Sequence, residues 1–139
     1  MVILMTLYLV SNNLVIDNIL YETDEDVEEK RINRVLSIEG EKLSVKLVKL
    51  IDASVVYSSS YASSIGASKY YASYKNLDVN INSFLNDLKI GDLGRRNIKM
   101  LRFMQERDFD FKFNHGESLN DVNKRMNIAI DRIRCKSGN

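Results

Sequence analysis

SVVYSSSYASSIGASKYYASYKNLDVNIN, residues 54–82, decides the fold. Its opening, Ser54–Ser59, is short and rich in β-branched residues, the composition of a strand. Residues 60–74 are dominated by Ala, Ser and Gly between tyrosines, which suits a helix whose small-residue surface packs closely on a sheet. Asp78–Asn82 then alternates apolar and polar side chains as an edge strand does. Strands alternating with helices imply a parallel sheet.

The same alternation extends in both directions. MVILMTLYLV, residues 1–10, is almost unbroken apolar sequence, as expected of a strand buried on both faces. It lacks the basic start and small-residue cleavage pattern of a signal peptide, and a bilayer span needs about 20 residues. The strongly charged run Glu22–Arg31 reads as a solvated loop or first helical turn. Residues 36–51 read as a helix capped by Ser37, with Leu43, Leu47, Val48 and Ile51 inward and Lys42, Lys46 and Lys49 outward. Beyond the third strand, a loop with two glycines leads to a helix over 95–107, with Ile98, Leu101 and Met104 inward. A turn at 114–117 precedes a helix over 118–134. That helix carries Leu119, Val122, Met126, Ile130 and Ile133 on one stripe, with Ser118 and Asp121 imitating a capping box. The expected architecture is three-layer α/β/α with a mainly parallel sheet.

The chain has 139 residues, enough for one domain with a real core, taken here as residues 1–134 followed by a polar tail, 135–139. A net charge of +1 gives no global field toward nucleic acid or an acidic membrane. The single cysteine, Cys135, cannot form an internal disulfide, which favours a reducing, cytoplasmic setting.

In parallel α/β sheets, function sits at the carboxyl ends of the strands. Those ends here are Ser11-Asn12-Asn13 and Ser58–Ser64, and none of the first three side chains is a good nucleophile, base or phosphate clamp. The hydroxyl-rich second segment leads into a helix N-terminus, where backbone N–H groups suit an anion. Arg95, Lys99 and Arg102, at i, i+4 and i+7, would share one helix face and offer contacts to an anionic ligand. His115, the one histidine, reads as a surface side chain in the turn before Gly116. Asn86, Asp87 and Asp92 supply too few converging oxygens for Mg²⁺, and a lone His cannot build a transition-metal site, so no metal or cofactor is expected.

Taken in order, several segments resemble the histidine phosphatase (phosphoglycerate mutase-like) superfamily. LYLVSNNLVIDN (7–18) is similar to an apolar strand followed by Arg-His-Gly-Gln/Glu-Ser/Thr-x-x-Asn, with Asn18 matching. LSIEGEKLSVKL (36–47) resembles Leu-Ser/Thr-x-x-Gly-x-x-Gln-Ala through Leu36, Ser37 and Gly40. Tyr57, Ser58 and Ser59 match the start of Ile-Tyr-Ser-Ser-Pro-x-x-Arg-Ala-x-x-Thr-Ala. Leu85 and Gly91 match Leu-x-Glu-x-x-x-Gly, and HGESLNDVNKRM (115–126) is similar to Gly-Glu-Ser-x-x-Asp-Val-x-x-Arg.

The resemblance implies a site with a His nucleophile, two Arg clamps, a second His and an acidic proton donor. It places the nucleophile on Asn12, the clamps on Ser11 and Ser63, the glycine that admits phosphate on Asn13, and the proton donor on Asp87. The second His belongs to a later strand, and the sequence ends at Asn139 before one, so the domain is expected to be incomplete at its C-terminal end. The scaffold positions match while charge and nucleophilicity are gone. The expected function is therefore that of an inactive histidine phosphatase-like protein acting as a binding or interaction module. Weak affinity for a phosphorylated small molecule or protein, and self-association through an uncovered sheet edge, go with it. The alternatives are a phosphoric monoester hydrolase or mutase with a non-standard site, using Asp87 as acid, and a fragment or engineered scaffold without its own function.

Overall fold

The computed structural model describes residues 6–11, 15–16 and 27–136. Two strands and five α-helices follow one another in them: α1 (Val27–Asn33), α2 (Ile38–Leu47), β1 (Val56–Ser58), α3 (Ala62–Lys75), β2 (Val79–Ile81), α4 (Ile98–Gln105) and α5 (Leu119–Lys136). A 3₁₀ turn, Ser83–Leu85, follows β2. β1 and β2 are parallel, with Val56 opposite Val79 and Ser58 opposite Ile81, and α3 is the crossover between them.

The crossover is held at both ends. Tyr71, buried on α3, accepts from Ala53 N–H (2.6 Å) and donates its hydroxyl to Ala53 O (3.0 Å), fixing the chain's entry into β1. Asn76 closes α3 in the left-handed conformation at φ 53°, which its short polar side chain tolerates.

The α/β class and parallel pairing agree with expectation, but the first expected strand does not appear in the described part of its span. Residues 1–5 lie outside the described residues. Residues 6–11 form no strand, and Leu7, Tyr8, Leu9 and Val10 are exposed. An apolar run becomes a doubly buried strand only where ladder partners and two covering layers are present, and the described residues give it neither.

On α2, Ser37 is the N-cap, accepting from Gly40 N–H (3.1 Å), as its spacing predicted. The buried stripe keeps Val48 of the expected one but is otherwise shifted around the helix. Leu36, Gly40, Ser44 and Val48 face inward while Leu43 is exposed. Small residues win this face because α2 packs closely on α3, where a side chain at Gly66 would already touch Leu36 at 3.5 Å. Ser44 satisfies its buried hydroxyl on Gly40 O (2.8 Å).

The largest correction concerns the charged run. Its end is helical, as one of the two expectations had it, but helix α1 is docked through one face, with Val27 buried while Glu29 stays exposed. Val27 lies in a core cluster with Ile90, Leu93, Leu101 and Phe113, bordered by Leu88, Ile98 and Phe111. Glu28 accepts the Ile90 N–H, and the Arg31 guanidinium donates to Leu88 O (2.9 Å) and to Asp87. Hydropathy counts charged residues as outward; here their chain-end groups satisfy loop backbone that the core would otherwise bury unpaired.

The core thus rests on loops 86–97 and 106–118 as much as on the sheet. Those loops meet at two glycines. Gly91 has φ +78°, and a Cβ there would lie 2.5 Å from both Asn114 O and Gly116 N; one on Gly116 would lie 2.6 Å from Ile90 O. Backbone touches backbone, so neither position has room for a side chain.

Candidate functional site

β1 ends in Ser58 and runs through Ser59, Ser60 and Tyr61 straight into α3. Ser60 donates both its N–H (2.9 Å) and its hydroxyl (3.0 Å) to Asn86 Oδ1, tying the segment after β1 to the segment after β2. Ser63, in the first turn of α3, is buried. Asp87 follows Asn86 and sits at the surface. One of its oxygens accepts the Arg31 guanidinium and the other accepts Leu88 N–H (2.8 Å).

The Asp87 loop is gripped from behind by Arg125 of α5. One terminal nitrogen donates to Phe84 O (2.8 Å) and Asn86 O (2.7 Å), and the other to Asp87 O (3.1 Å). The same guanidinium forms a two-bond pair with Glu117, at 2.6 and 2.8 Å. Glu117 Oε2 also accepts Lys89 N–H (2.9 Å). A planar fork with five donors suits this mixture of carboxylate and carbonyls.

The pair sets the electrostatics. The hydrogen bond from Arg125 holds the Glu117 carboxyl below its ordinary 4.5, and Glu117 raises Arg125 in return. Burial pushes the Tyr61 phenol up, with the Arg31 charge opposing. A carboxylate depressed in the folded state stabilises it fully above the unfolded value and loses that contribution as pH falls through the folded one. Urea denaturation will therefore show stability falling as the solution is acidified below about pH 4.5. Glu117→Gln will flatten that slope while lowering stability at neutral pH.

The residues expected at a site fall as follows. Ser63 and Asp87 stand at the same end of the two-stranded sheet, joined through the Ser60–Asn86 bonds. Ser11 is exposed in the 6–11 segment, and Asn12 and Asn13 lie outside the described residues. Arg95 is not on a helix: it lies in the turn at Gly94–Arg95, because Asn97 is the N-cap of α4 and accepts from Met100 N–H (3.1 Å). Lys99 and Arg102 are on α4. Arg102 lines a cavity of about 160 Å³ together with Arg31 and Asp87, whereas Arg95 and Lys99 do not. His115 is a surface residue with φ 59°, its Nδ1 2.8 Å from Asp92 Oδ2. Cys135 is exposed on the last turn of α5. Among the described residues, no group of three His, Cys, Asp or Glu side chains could hold a metal, and no helix is long and apolar enough to cross a membrane.

Sequence reasoning passed over Arg31, Gln105 and the roles of Glu117 and Arg125. Glu117 and Arg125 were visible as matches to the Gly-Glu-Ser…Arg stretch; Arg31 and Gln105 carried no such signal.

No protein-family model and no curated protein sequence matches the chain. Solved structures do. A mycobacterial glucosyl-3-phosphoglycerate phosphatase, in complex with inorganic phosphate, superposes with a TM-score of 0.66 at 16% identity, over 76% of this chain and 56% of that protein. The fold is that of the histidine phosphatases. The histidine phosphatase fold is likewise shared with the alpha-ribazole phosphatase of Shigella flexneri (TM-score 0.63, 19% identity, 78% of this chain and 59% of that one). YhfR of Bacillus stearothermophilus gives a TM-score of 0.60 at 18% identity, over 81% and 63% of the two chains. The chain therefore spans less than two thirds of the length of these histidine phosphatase-fold proteins.

Proposed function

We propose that the chain is a catalytically inactive relative of the histidine phosphatases that works as a binding or interaction module. One observation carries the reading: the residues that the resemblance puts at the nucleophile and clamp seats carry neither nucleophilicity nor positive charge. Ser63, where the resemblance puts a phosphate-clamping Arg, is a buried hydroxyl without charge. Asp87, at the proton-donor seat, keeps the acidic type; one of its oxygens accepts the Arg31 guanidinium and the other Leu88 N–H. Asn12, at the nucleophile seat, has an amide with no useful nucleophilicity. His115 is paired with Asp92 and is not a contact of the Asp87 loop's Arg31–Arg125 network.

An interaction role is supported by Ile38 and Val45, both exposed and seven residues apart on one face of α2.

The test is hydrolysis of p-nitrophenyl phosphate, with a parallel assay for acid-labile protein-bound phosphate. The parent chain will show neither above a buffer blank. Turnover that disappears in Asn12→Ala would overturn the proposal. The quadruple variant Ser11→Arg, Asn12→His, Asn13→Gly, Ser63→Arg asks whether the scaffold still supports the chemistry. Phosphoenzyme in the variant and none in the parent is the result the reading requires of an emptied site.

A further inference from the structure

The cavity of about 160 Å³ between α1, α4 and the Asp87 loop has a wall built from one helix face. Ile98, Leu101, Arg102 and Gln105 are spaced i, i+3, i+4 and i+7 along α4, so their side chains stack on one side of it. Two of these four are apolar and two are polar, and both polar ones have capacity to spare.

Gln105 is only 3% exposed, yet its hydrogen-bonding is half used. Its Nε2 donates to Phe111 O and to Glu117 O, both at 3.0 Å. Those two bonds fix which way the amide points, because an amide oxygen cannot donate to a carbonyl. Oε1 then accepts nothing among the described residues, and Gln105 lines the cavity. One helical turn away, the Arg102 guanidinium makes no ion pair or side-chain hydrogen bond among the described residues. An amide oxygen without a donor, on a side chain otherwise buried, and a cation without an anion therefore line one small space.

The charges around that space select the ligand further. Arg31 is already paired with both Asp87 and Glu28, which leaves the Arg102 charge for a guest to neutralise. A dianion would put surplus negative charge beside Asp87. A cavity of about 150 Å³ accommodates benzene, so this one takes a molecule of roughly six to eight heavy atoms. Part of it must be hydrocarbon, to cover Ile98 and Leu119.

We propose that this cavity is a binding site for a short-chain 2-hydroxycarboxylate of about four or five carbons, its carboxylate on Arg102, its hydroxyl donating to Gln105 Oε1 and its alkyl group on the Ile98–Leu101 wall. The inference rests on the reading of the chain as a binding module, and it names a ligand other than a phosphate ester.

The experiment is an NMR titration of the full chain, following the methyl groups of Ile98, Leu101 and Leu119, with 2-hydroxyisovalerate as the probe. Saturable shifts at these methyls are expected. Isovalerate, which lacks only the hydroxyl, will bind about three- to tenfold more weakly, and isobutanol, which keeps the hydroxyl and the branched alkyl group but lacks the carboxylate, at least tenfold more weakly. Arg102→Met, at an exposed position, will weaken 2-hydroxyisovalerate about tenfold without altering the rest of the spectrum. The ligand series tests Gln105 without removing its bonds to Phe111 O and Glu117 O. Absence of saturable shifts, equal affinity for isovalerate, or tighter binding of inorganic phosphate at the same methyls would each overturn the assignment. Because the readout is binding and not turnover, its failure is separable from the hydrolysis test: a chain that binds 2-hydroxyisovalerate and also hydrolyses p-nitrophenyl phosphate keeps this site and loses the claim of inactivity.

Discussion

Arg125→Met will lower the thermal unfolding midpoint by about 10 °C, corresponding to about 2–4 kcal/mol in a chain of this size. The reason is what the substitution leaves behind. Methionine keeps much of the stem's packing but removes the partner of Glu117, whose side chain is 23% exposed. It also strips the donors from the carbonyls of Phe84, Asn86 and Asp87. A largely buried carboxylate without its cation is costlier than the pair was beneficial. Two controls locate the effect. Lys75→Met breaks only the exposed contact to Asp52 and will shift the midpoint by a degree or two at most. The double variant Arg125→Met, Glu117→Met will recover part of the loss, since it removes the stranded charge. If the single variant unfolds within about 2 °C of the parent, the grip of α5 on the Asp87 loop is not a source of stability.

Gly91→Ala will be of comparable severity, about 3–5 kcal/mol, through an unrelated mechanism. Its φ of +78° costs any L side chain about 1–2 kcal/mol. The larger share is steric: the new methyl would sit 2.5 Å from Asn114 O and Gly116 N, atoms of backbone that cannot rotate away. Gly94→Ala is the matched control, with φ +58° but open space around the Cβ, and will cost about 1–2 kcal/mol. Chemical denaturation of the two variants side by side separates conformational from steric cost. Equal losses would show that the approach of the two loops is looser than 2.5 Å contacts allow.

These two sites also show how legibility divides. The strand–helix–strand unit was readable because each piece follows a local rule: β-branched Val55–Val56, the small residues of α3, alternation at Asp78–Asn82. The Ser37 cap was readable for the same reason. What failed was tertiary. Leu43 satisfied helical periodicity and is nonetheless outside, because Gly40 and Ser44 admit α3 more closely. Arg95 fitted an i, i+4, i+7 pattern, yet the cap at Asn97 starts the helix after it. The charged run ending in Arg31 reads as solvated on hydropathy, although Glu28 and Arg31 are the hydrogen-bond partners of a loop nearly sixty residues away. At the candidate site, Ser63 and Asp87 were found through resemblance, whereas Gln105 was invisible: its importance lies in which half of its amide is occupied, and composition does not encode that.

The docking of α1 has a consequence for the order in which this chain acquires its structure. The β1–α3–β2 unit closes over short sequence separations, and such contacts form early at little entropic cost. The bonds from Glu28 to Ile90 and from Arg31 to Leu88 bridge separations of 62 and 57 residues. They can form only after the intervening chain has been drawn in, so the docking of α1 belongs to the late part of folding. During synthesis, α1 leaves the ribosome well before the loop that receives it. It must wait, with Val27 uncovered, until about sixty more residues have been made.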